Sequence, residues 1–243
     1  MADHGAMGRA CMLVLGLAAV ACSHRVYSPP TRALPLDSAT VLESGESSVA
    51  LEAGAHGAYF GPDLSSIGGR VRVSVDGRWE ATGEGTVLRV IDDEGVDTHP
   101  NIYALHGGVR YGAFRHLSLE AGGGFGVSAG GGFAAPALGA TLAYENRWLV
   151  PFIALRGYAS LPVYPRAVVL GEELDEDTDE LETLRDTPKT TVGVQVGVGL
   201  RVPLRSDGQE QGSLHLGLGA TEMADEDDRV TFSSAAIGLS LLL

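Results

Sequence analysis

Three aspartates in one acidic stretch have the spacing that opens a metal-binding loop. Asp175, Asp177 and Asp179 alternate along the chain, and carboxylate oxygens in that arrangement suit Ca²⁺. The glycine that a calcium loop needs for its sharp turn is replaced by Glu180, so the full pattern is not met. We expect a solvated acidic loop that binds divalent cations only loosely, and the sequence predicts no metal centre.

His116 and Ser118 are spaced as a base and a nucleophile on one face of a strand would be. A catalytic pair also needs an acidic partner to orient the histidine, and residues 121–144 contain neither Asp nor Glu. The segment therefore predicts a polar turn that leads into a strand. We predict no catalytic residue and no cofactor, and we expect the protein not to be an enzyme.

The first 22 residues carry a targeting signal. Arg9 precedes an apolar run over residues 12–21, which is long enough for a signal peptide and too short to span a bilayer as a helix. The run ends in Ala-Val-Ala before Cys22, which resembles the lipobox of bacterial lipoproteins and implies lipidation of Cys22. Ordinary cleavage after Ala21 is the alternative. Residues 1–21 are predicted as signal peptide, and residues 22–46, with three prolines, as a lipidated N-terminus and extended linker.

Composition excludes several classes of protein. The net charge of −14 argues against nucleic acid as a partner. Only two cysteines are present and both precede residue 23, so the rest of the chain holds neither a disulfide framework nor a cysteine zinc site.

Residues 47–243 alternate between apolar and small or polar side chains, which is typical of strands with two different faces. The longest run puts Val192, Val194, Val196 and Val198 on one face and glycines with Gln195 on the other. Strands are predicted at 47–60, 68–80, 85–91, 102–114, 117–128, 136–145, 148–160, 190–205, 213–221 and 230–243. A hairpin turn at Asp76-Gly77 is an alternative that would redraw the second and third strands.

Short and long connections alternate along the chain. The short ones are expected at 81–84, 115–116, 146–147 and 206–212, and the longer ones at 61–67, 92–101, 129–135, 161–189 and 222–229. This asymmetry is typical of a transmembrane β-barrel with short periplasmic turns and longer external loops. Both chain ends then lie on the periplasmic side, so a lipid on Cys22 would enter the inner leaflet of the outer membrane.

The aromatic residues fall near the strand ends, as they do in barrels with two interfacial belts. The periplasmic belt is predicted from Trp79, Tyr111, Phe114, Tyr144 and Trp148. The external belt is predicted from Tyr59, Phe60, Tyr103, Tyr158 and Phe232.

Charged side chains share the face opposite the aliphatic one, because a charge facing lipid at mid-depth costs about 2–4 kcal/mol. A hairpin centred on Arg115 places Arg110 opposite Glu120 and predicts an inward ion pair between them. A two-residue turn at 146–147 likewise pairs Ala140 with Ile153. The inward set is Glu52, His56, Arg70, Arg72, Asp76, Arg78, Glu80, Arg89, His106, Arg110, Glu120, Arg156, Arg201 and His215. Ion pairs of Arg70, Arg72, Arg78, Arg156 and Arg201 are expected to fill a narrow lumen, and a small anion-preferring channel is the alternative.

An N-terminal sorting signal, eight to ten Gly-rich amphipathic strands and a strand that ends at the last residue resemble small outer-membrane barrels of the OmpA-like and OmpW-like kind. The chain departs from that pattern in ending Leu241-Leu242-Leu243 instead of in an aromatic residue. The resemblance implies an all-β, antiparallel, up-and-down transmembrane β-barrel of about eight to ten strands.

The expected function is that of an integral, non-enzymatic outer-membrane protein, structural or handling small solutes. Its expected partners are outer-membrane lipid and, through divalent cations on the acidic loop, lipopolysaccharide. One alternative is a soluble, lipid-anchored, lipocalin-like barrel that binds an apolar ligand, whose aliphatic faces would point inward. A membrane-embedded lipid-modifying enzyme is the other.

Overall fold

Ten of the twelve strands form one closed barrel in the computed structural model, which describes residues 28–34, 36, 38–58, 63–91, 101–174, 181–226 and 229–243. The strands are β1 (Ser47–Ala58), β2 (Asp63–Ser74), β3 (Trp79–Ile91), β4 (Ile102–Phe114), β5 (Leu117–Ser128), β6 (Gly131–Ala143), β7 (Val150–Pro165), β8 (Val168–Leu174), β9 (Leu181–Asp186), β10 (Thr191–Ser206), β11 (Gln209–Ala224) and β12 (Arg229–Leu242).

Every barrel strand pairs antiparallel with its neighbour, and β1 closes the barrel against β12. The predicted all-β, antiparallel, up-and-down architecture is therefore confirmed, with ten strands. The strands β8 and β9 form a separate hairpin within the connection from β7 to β10, where the sequence indicated only a loop. No helix among the described residues is long and apolar enough to cross a membrane.

The two ends of the barrel differ. At one end, here the short-turn end, lie the connections 75–78, 115–116, 144–149 and 207–208, together with the start of β1 and the end of β12. At the other end, here the loop end, lie the connections 59–62, 92–101, 129–130, 166–190 and 225–228. The predicted long connection at 129–135 is wrong, because β6 already begins at Gly131 and two residues suffice.

The alternative turn at Asp76-Gly77 is the correct one. Residues 75–78 connect β2 to β3, and Gly77 has a φ of 77°, a value that glycine adopts without the penalty of a Cβ. Asp76 Oδ1 accepts hydrogen bonds from the backbone N–H groups of Arg78 and Trp79. These two bonds hold the pKa of the Asp76 carboxyl below its usual value, and the bond from Arg78 has the larger effect. The strand ends predicted at 68, 80 and 85 were wrong as a result.

The connection from β6 to β7 is longer than the predicted two residues. Asn146 Oδ1 accepts hydrogen bonds from the backbone N–H groups of Trp148 and Leu149, which closes a turn within residues 144–149. The longer turn shifts the register by two residues, so Ala140 lies opposite Leu155 and not Ile153.

The aliphatic side chains of the strands point outward and are exposed all round the barrel. The exposed set includes the alternating valines of β10 and Leu239 and Leu241 of β12. Two predicted inward arginines do not follow the pattern. Arg78 lies in the exposed turn 75–78. Arg89 lies on the outward face, two residues from the loop end of β3. The reason is that the turn before β3 lies at 75–78 and not at 81–84, which changes the facing of the residues in this strand.

Aromatic side chains ring the short-turn end as predicted. Trp79, Phe114, Tyr144 and Trp148 are exposed there, and the rings of Trp79 and Tyr111 lie 4.7 Å apart.

The belt at the loop end is only partly as predicted. Tyr103 is exposed there, but Tyr158 and Phe232 turn inward and pack with Met223 and Ala137. Tyr59 and Phe60 lie outside the described residues.

Residues before β1 do not form an external linker. Leu34, Leu36, Ala39 and Leu42 are buried, the first two at 3% and 1% exposure. The chain from 28 to 46 enters the lumen, and the predicted linker is corrected accordingly. We call residues 28–46 the lumen segment; its residues 35 and 37 lie outside the described part of the chain.

Candidate functional site

The lumen segment runs through the barrel from end to end. At the short-turn end the backbone N–H of Leu42 donates to Glu80 at 2.5 Å, near the start of β3. At the loop end the backbone N–H of Ser28 donates to Thr191, the first residue of β10, at 3.2 Å. The hydroxyl of Ser160 donates to the carbonyl of Pro29 at 2.9 Å. The candidate functional site is therefore the filled lumen itself.

A cluster of charged side chains holds the middle of the segment through Arg32. Its Nε lies 2.5 Å from Glu84 on β3, and its guanidinium lies 3.2 Å from Glu120 on β5. Arg156 on β7 approaches the same carboxylate at 2.9 Å, and His106 lies 3.8 Å away. Because these side chains are removed from water, their mutual pairing keeps the burial of each charge tolerable.

Neutral groups on the wall complete the contacts of residues 28–34, here the loop half of the segment. The side-chain amide of Gln195 donates to the carbonyls of Arg32 at 3.0 Å and Ala33 at 2.7 Å. Thr31 and His106 share a hydrogen bond of 3.1 Å.

The part of the segment from residue 36 to residue 46, here the short-turn half, is held mainly through its backbone. Arg70 donates to the carbonyl of Leu36 at 3.2 Å, Arg110 to that of Ser38, and Arg72 to that of Thr40 at 2.9 Å. Ser74 donates to the carbonyl of Leu42 at 3.1 Å. Alternate carbonyls of an extended chain point to the same side, so wall side chains satisfy one edge of the segment as a neighbouring strand would.

Glycines on the wall make room for the two leucines of the segment. Leu36 and Leu34 pack in a cluster with Val150 and Phe152. A Cβ at Gly217 would come within 2.3 Å of Leu36 Cδ2, and one at Gly219 within 2.5 Å of Leu34 Cδ1. The glycine-rich inward faces therefore leave room for the segment. From the sequence alone they indicated only a thin wall.

The register predicted for Arg110 and Glu120 is found, since the two residues face each other across β4 and β5. The ion pairs described for Glu120 nevertheless come from Arg32 and Arg156, while Arg110 donates to Ser118 at 2.9 Å and to the segment.

The other arginines expected in the lumen are placed as follows. Arg70 pairs with Glu52 at 2.6 Å and Arg72 with Glu80 at 2.5 Å. Arg201 contacts Glu210 and, at 3.6 Å, Glu145 at the short-turn end. Arg78 lies outside the lumen, in the exposed turn 75–78, and Arg89 lies on the outward face of β3.

Residues singled out for chemistry do not assemble into a reactive site. His116 Nδ1 lies 3.0 Å from the carbonyl of Ala143, whereas Ser118 accepts from Arg110. Within the described ranges no group of His, Cys, Asp and Glu could hold a metal ion. Cys22, Asp175, Asp177 and Asp179 lie outside the described residues.

Sequence reasoning missed Arg32 and Glu84. Arg32 was placed in a linker and Glu84 in a turn, and both errors follow from misjudged segment boundaries. The signal that could have found the segment is the number of glycines on inward faces, such as Gly217 and Gly219, because they leave space for an added chain.

Two adjoining cavities lie at the short-turn end of the described lumen. A cavity of about 550 Å³ lies there beside Thr40, Val41, Arg115, Arg201 and Arg205, and a smaller one of about 190 Å³ adjoins it. Further up, beside Leu34 and Glu84, the cavity measures only about 20 Å³. That is room for one water molecule.

Comparison with known proteins returns barrels. Neisserial surface protein A (NspA) is 11% identical, covers 82% of this chain and 97% of its own, and has a TM-score of 0.42. The beta domain of the Bordetella autotransporter BrkA is 14% identical over 82% of this chain and 99% of its own, with a TM-score of 0.44. Ail, the attachment invasion locus protein of Yersinia pestis, is 12% identical over 82% and 99%, with a TM-score of 0.35.

At such identities and TM-scores these likenesses carry no function to this chain. No family model matches the chain, and no curated protein matches it.

Proposed function

We propose that this protein is an integral β-barrel of the bacterial outer membrane whose lumen is closed by its own N-terminal segment. It acts as a structural and anchoring element, passes no solute and catalyses no reaction. The observation that carries this proposal is the lumen segment, which occupies the barrel from Leu42 to Ser28 and is bonded to the wall along its length.

The distribution of side chains supports a membrane location. Leu51, Leu138, Leu218 and Ile237, on four different strands, are all about half exposed or more and point outward. In water such a continuous apolar surface would promote association, whereas in lipid it is the expected outer face of a barrel.

The lipocalin-like alternative requires the opposite arrangement. A soluble barrel that binds an apolar ligand needs an apolar interior. Here the interior holds the buried side chains of Arg70, Arg110, Arg156 and Glu80, so an apolar ligand would face charges.

Small-solute transport is disfavoured by the same filling. One cavity beside Leu34 and Glu84, next to the segment, measures only about 20 Å³. Diffusion would require the lumen segment to leave, and with it the ion pairs of Arg32 with Glu84 and Glu120.

Lipid contacts at the N-terminus and the loop end belong to the same proposal. Lipidation of Cys22 adds an anchor to the barrel, and metabolic labelling with a radioactive fatty acid should mark the wild type but not Cys22→Ser. Divalent cations held by Asp175, Asp177 and Asp179 would bridge to phosphates of lipopolysaccharide.

The cation bridge has a direct test. Exchange of the three aspartates for asparagine should weaken calcium-dependent binding of the purified protein to lipopolysaccharide vesicles. Unchanged binding would remove this part of the proposal.

Conductance measurement tests the closed lumen. Purified full-length protein, checked for a heat-dependent shift in gel mobility, should give no channel activity in planar bilayers. A variant that lacks residues 28–42 should show the same gel shift and conduct ions. Equal conductance of both proteins would show that the segment does not close the lumen, and release of the wild type by alkaline carbonate would exclude an integral barrel.

A further inference from the structure

The lumen segment has a direction. Residue 46 adjoins β1 at the short-turn end, and residue 28 lies beside Thr191 and Ser160 at the loop end. Between them the contacts follow in order: Leu42 with Glu80, Ser38 with Arg110, Leu36 with Arg70, and Arg32 with Glu84. The chain therefore crosses the barrel once before β1 begins.

The segment occupies the described middle of the lumen, and we do not expect the chain before Ser28 to return through it. The space beside Leu34 holds about one water molecule, which is far less than a second extended chain requires. The inward glycines that would otherwise leave room, Gly217 and Gly219, are already filled by Leu36 and Leu34.

Chain length excludes a return by any other route. Six residues separate Ser28 from Cys22, and fully extended they reach about 20 Å. The apolar band of an outer-membrane barrel is about 25 Å tall. Residue 22 therefore cannot reach the short-turn face from the loop end, even along a straight line.

We propose that the lumen segment delivers the N-terminus of the mature chain to the loop end of the barrel. This corrects the expectation that a lipid on Cys22 enters the leaflet on the side where β1 starts. An acyl group on Cys22 instead enters the leaflet at the loop end. In the outer-membrane orientation proposed above that is the outer leaflet, so the protein is anchored by lipid at the cell surface.

The crossing itself rests on the contacts of residues 28–46, and only the statement about the cell surface rests on the proposed function. A barrel with a lipid on the loop side is held by two lipid contacts, its own outer wall and the acyl group.

Cysteine labelling separates the crossing from the orientation. In a Cys11→Ser, Cys22→Ser background, single cysteines are introduced as His24→Cys, as Glu226→Cys at the exposed loop end, and as Ser44→Cys at the exposed short-turn end. Intact cells and lysed envelopes are treated with a membrane-impermeant maleimide.

We expect His24→Cys and Glu226→Cys to react on intact cells, and Ser44→Cys only after lysis. If His24→Cys reacts together with Ser44→Cys, or reacts in neither sample, the crossing is wrong. If Ser44→Cys reacts on intact cells and Glu226→Cys does not, the orientation is wrong. The crossing is then still tested, because it requires His24→Cys to be labelled in the same samples as Glu226→Cys.

A disulfide test examines the crossing without any membrane. Ser28→Cys with Thr191→Cys places two thiols where the Ser28 N–H now bonds to the threonine side chain at 3.2 Å. Mild oxidation should change gel mobility in this pair. The control pair, Ser28→Cys with Ser213→Cys, joins opposite ends of the lumen and should not form a bond; a bond in the control but not in the first pair would overturn the proposal.

Discussion

The two halves of the lumen segment are held in different ways. In the loop half the charged contacts depend on one side chain of the segment, because Arg32 bridges Glu84 and Glu120. Wall side chains also donate to carbonyls of this half. In the short-turn half the wall binds carbonyl groups of residues 36, 38, 40 and 42, which every amino acid possesses. The comparison indicates that the Arg32 side chain sets the register of the segment, whereas the short-turn half is held mainly through its carbonyls, together with the packed side chain of Leu36.

The largest effect is expected for Arg32→Leu. The substitution leaves Glu84 and Glu120 buried with one cation fewer, and breaking a buried pair costs about 3–5 kcal/mol. The free energy of unfolding, measured with denaturant in detergent micelles, should fall by that amount. Arg166→Leu removes an exposed arginine and is the control. Equal losses of stability in both variants would contradict the role of the Arg32 ion pairs in holding the loop half.

A smaller loss is expected where the wall admits a leucine. The Cβ of Gly217→Ala would meet Leu36 Cδ2 at 2.3 Å, and overpacking of this kind costs about 1–3 kcal/mol. In a double-mutant cycle Leu36→Ala should recover part of the loss. Gly157→Ala, on the outward face with no atom within 4 Å of its Cβ, is the matched control.

Additive effects of Gly217→Ala and Leu36→Ala would contradict the packing of the segment against β11. Their coupling therefore measures directly whether the leucine occupies this wall position in solution.

Side-chain exchange in the short-turn half should have little effect. Thr40→Ala keeps the carbonyl to which Arg72 donates at 2.9 Å, and the Thr40 side chain is exposed. We expect the free energy of unfolding, measured by thermal denaturation, to change by no more than about 0.5 kcal/mol. A loss as large as that of Arg32→Leu would show that this half too is held by its side chains.

The smallest effect concerns the turn beneath the short-turn half. Ser74 binds the carbonyl of Leu42, and the backbone N–H of Gly77 donates to Ser74. The depressed pKa of Asp76 means that its stabilisation of the turn is present above the usual aspartate pKa and is lost as the pH falls through the lower folded value. The protection of the Arg78 and Trp79 amides against hydrogen exchange, relative to the intrinsic rate at each pH, should fall in acid in the wild type and vary less with pH in Asp76→Asn.

The regular parts of the barrel were accessible from sequence because their pattern is local. The alternation in 192–204 identified the outward face of β10, and the hairpin around Arg115 gave the register of Arg110 with Glu120. Errors arose where a turn could be drawn in two ways, as at Asp76-Gly77 and at 144–149, since each placement shifts the facing of the following strand.

The lumen segment was inaccessible for a different reason. Its prolines at 29, 30 and 35 remove any strand period, and its partners are far along the chain, as with Gln195, 163 residues from Arg32. Its buried position depends on glycines such as Gly217, whose role becomes visible only when the barrel is closed.

The seam between β1 and β12 has a consequence for assembly. The strands pair from Ser48 to Leu242 at one end and from Ala58 to Phe232 at the other, so β12 closes the cylinder against β1, beside the segment that precedes β1. Leu36 of the segment packs near Gly238 on the closing strand, so closure also completes a contact of the segment. Closure thus brings together contacts of the greatest sequence separation in the chain, and such contacts are the slowest to form. We expect this step to limit the folding rate, and the ion pair of Arg32 to be among the last interactions to form.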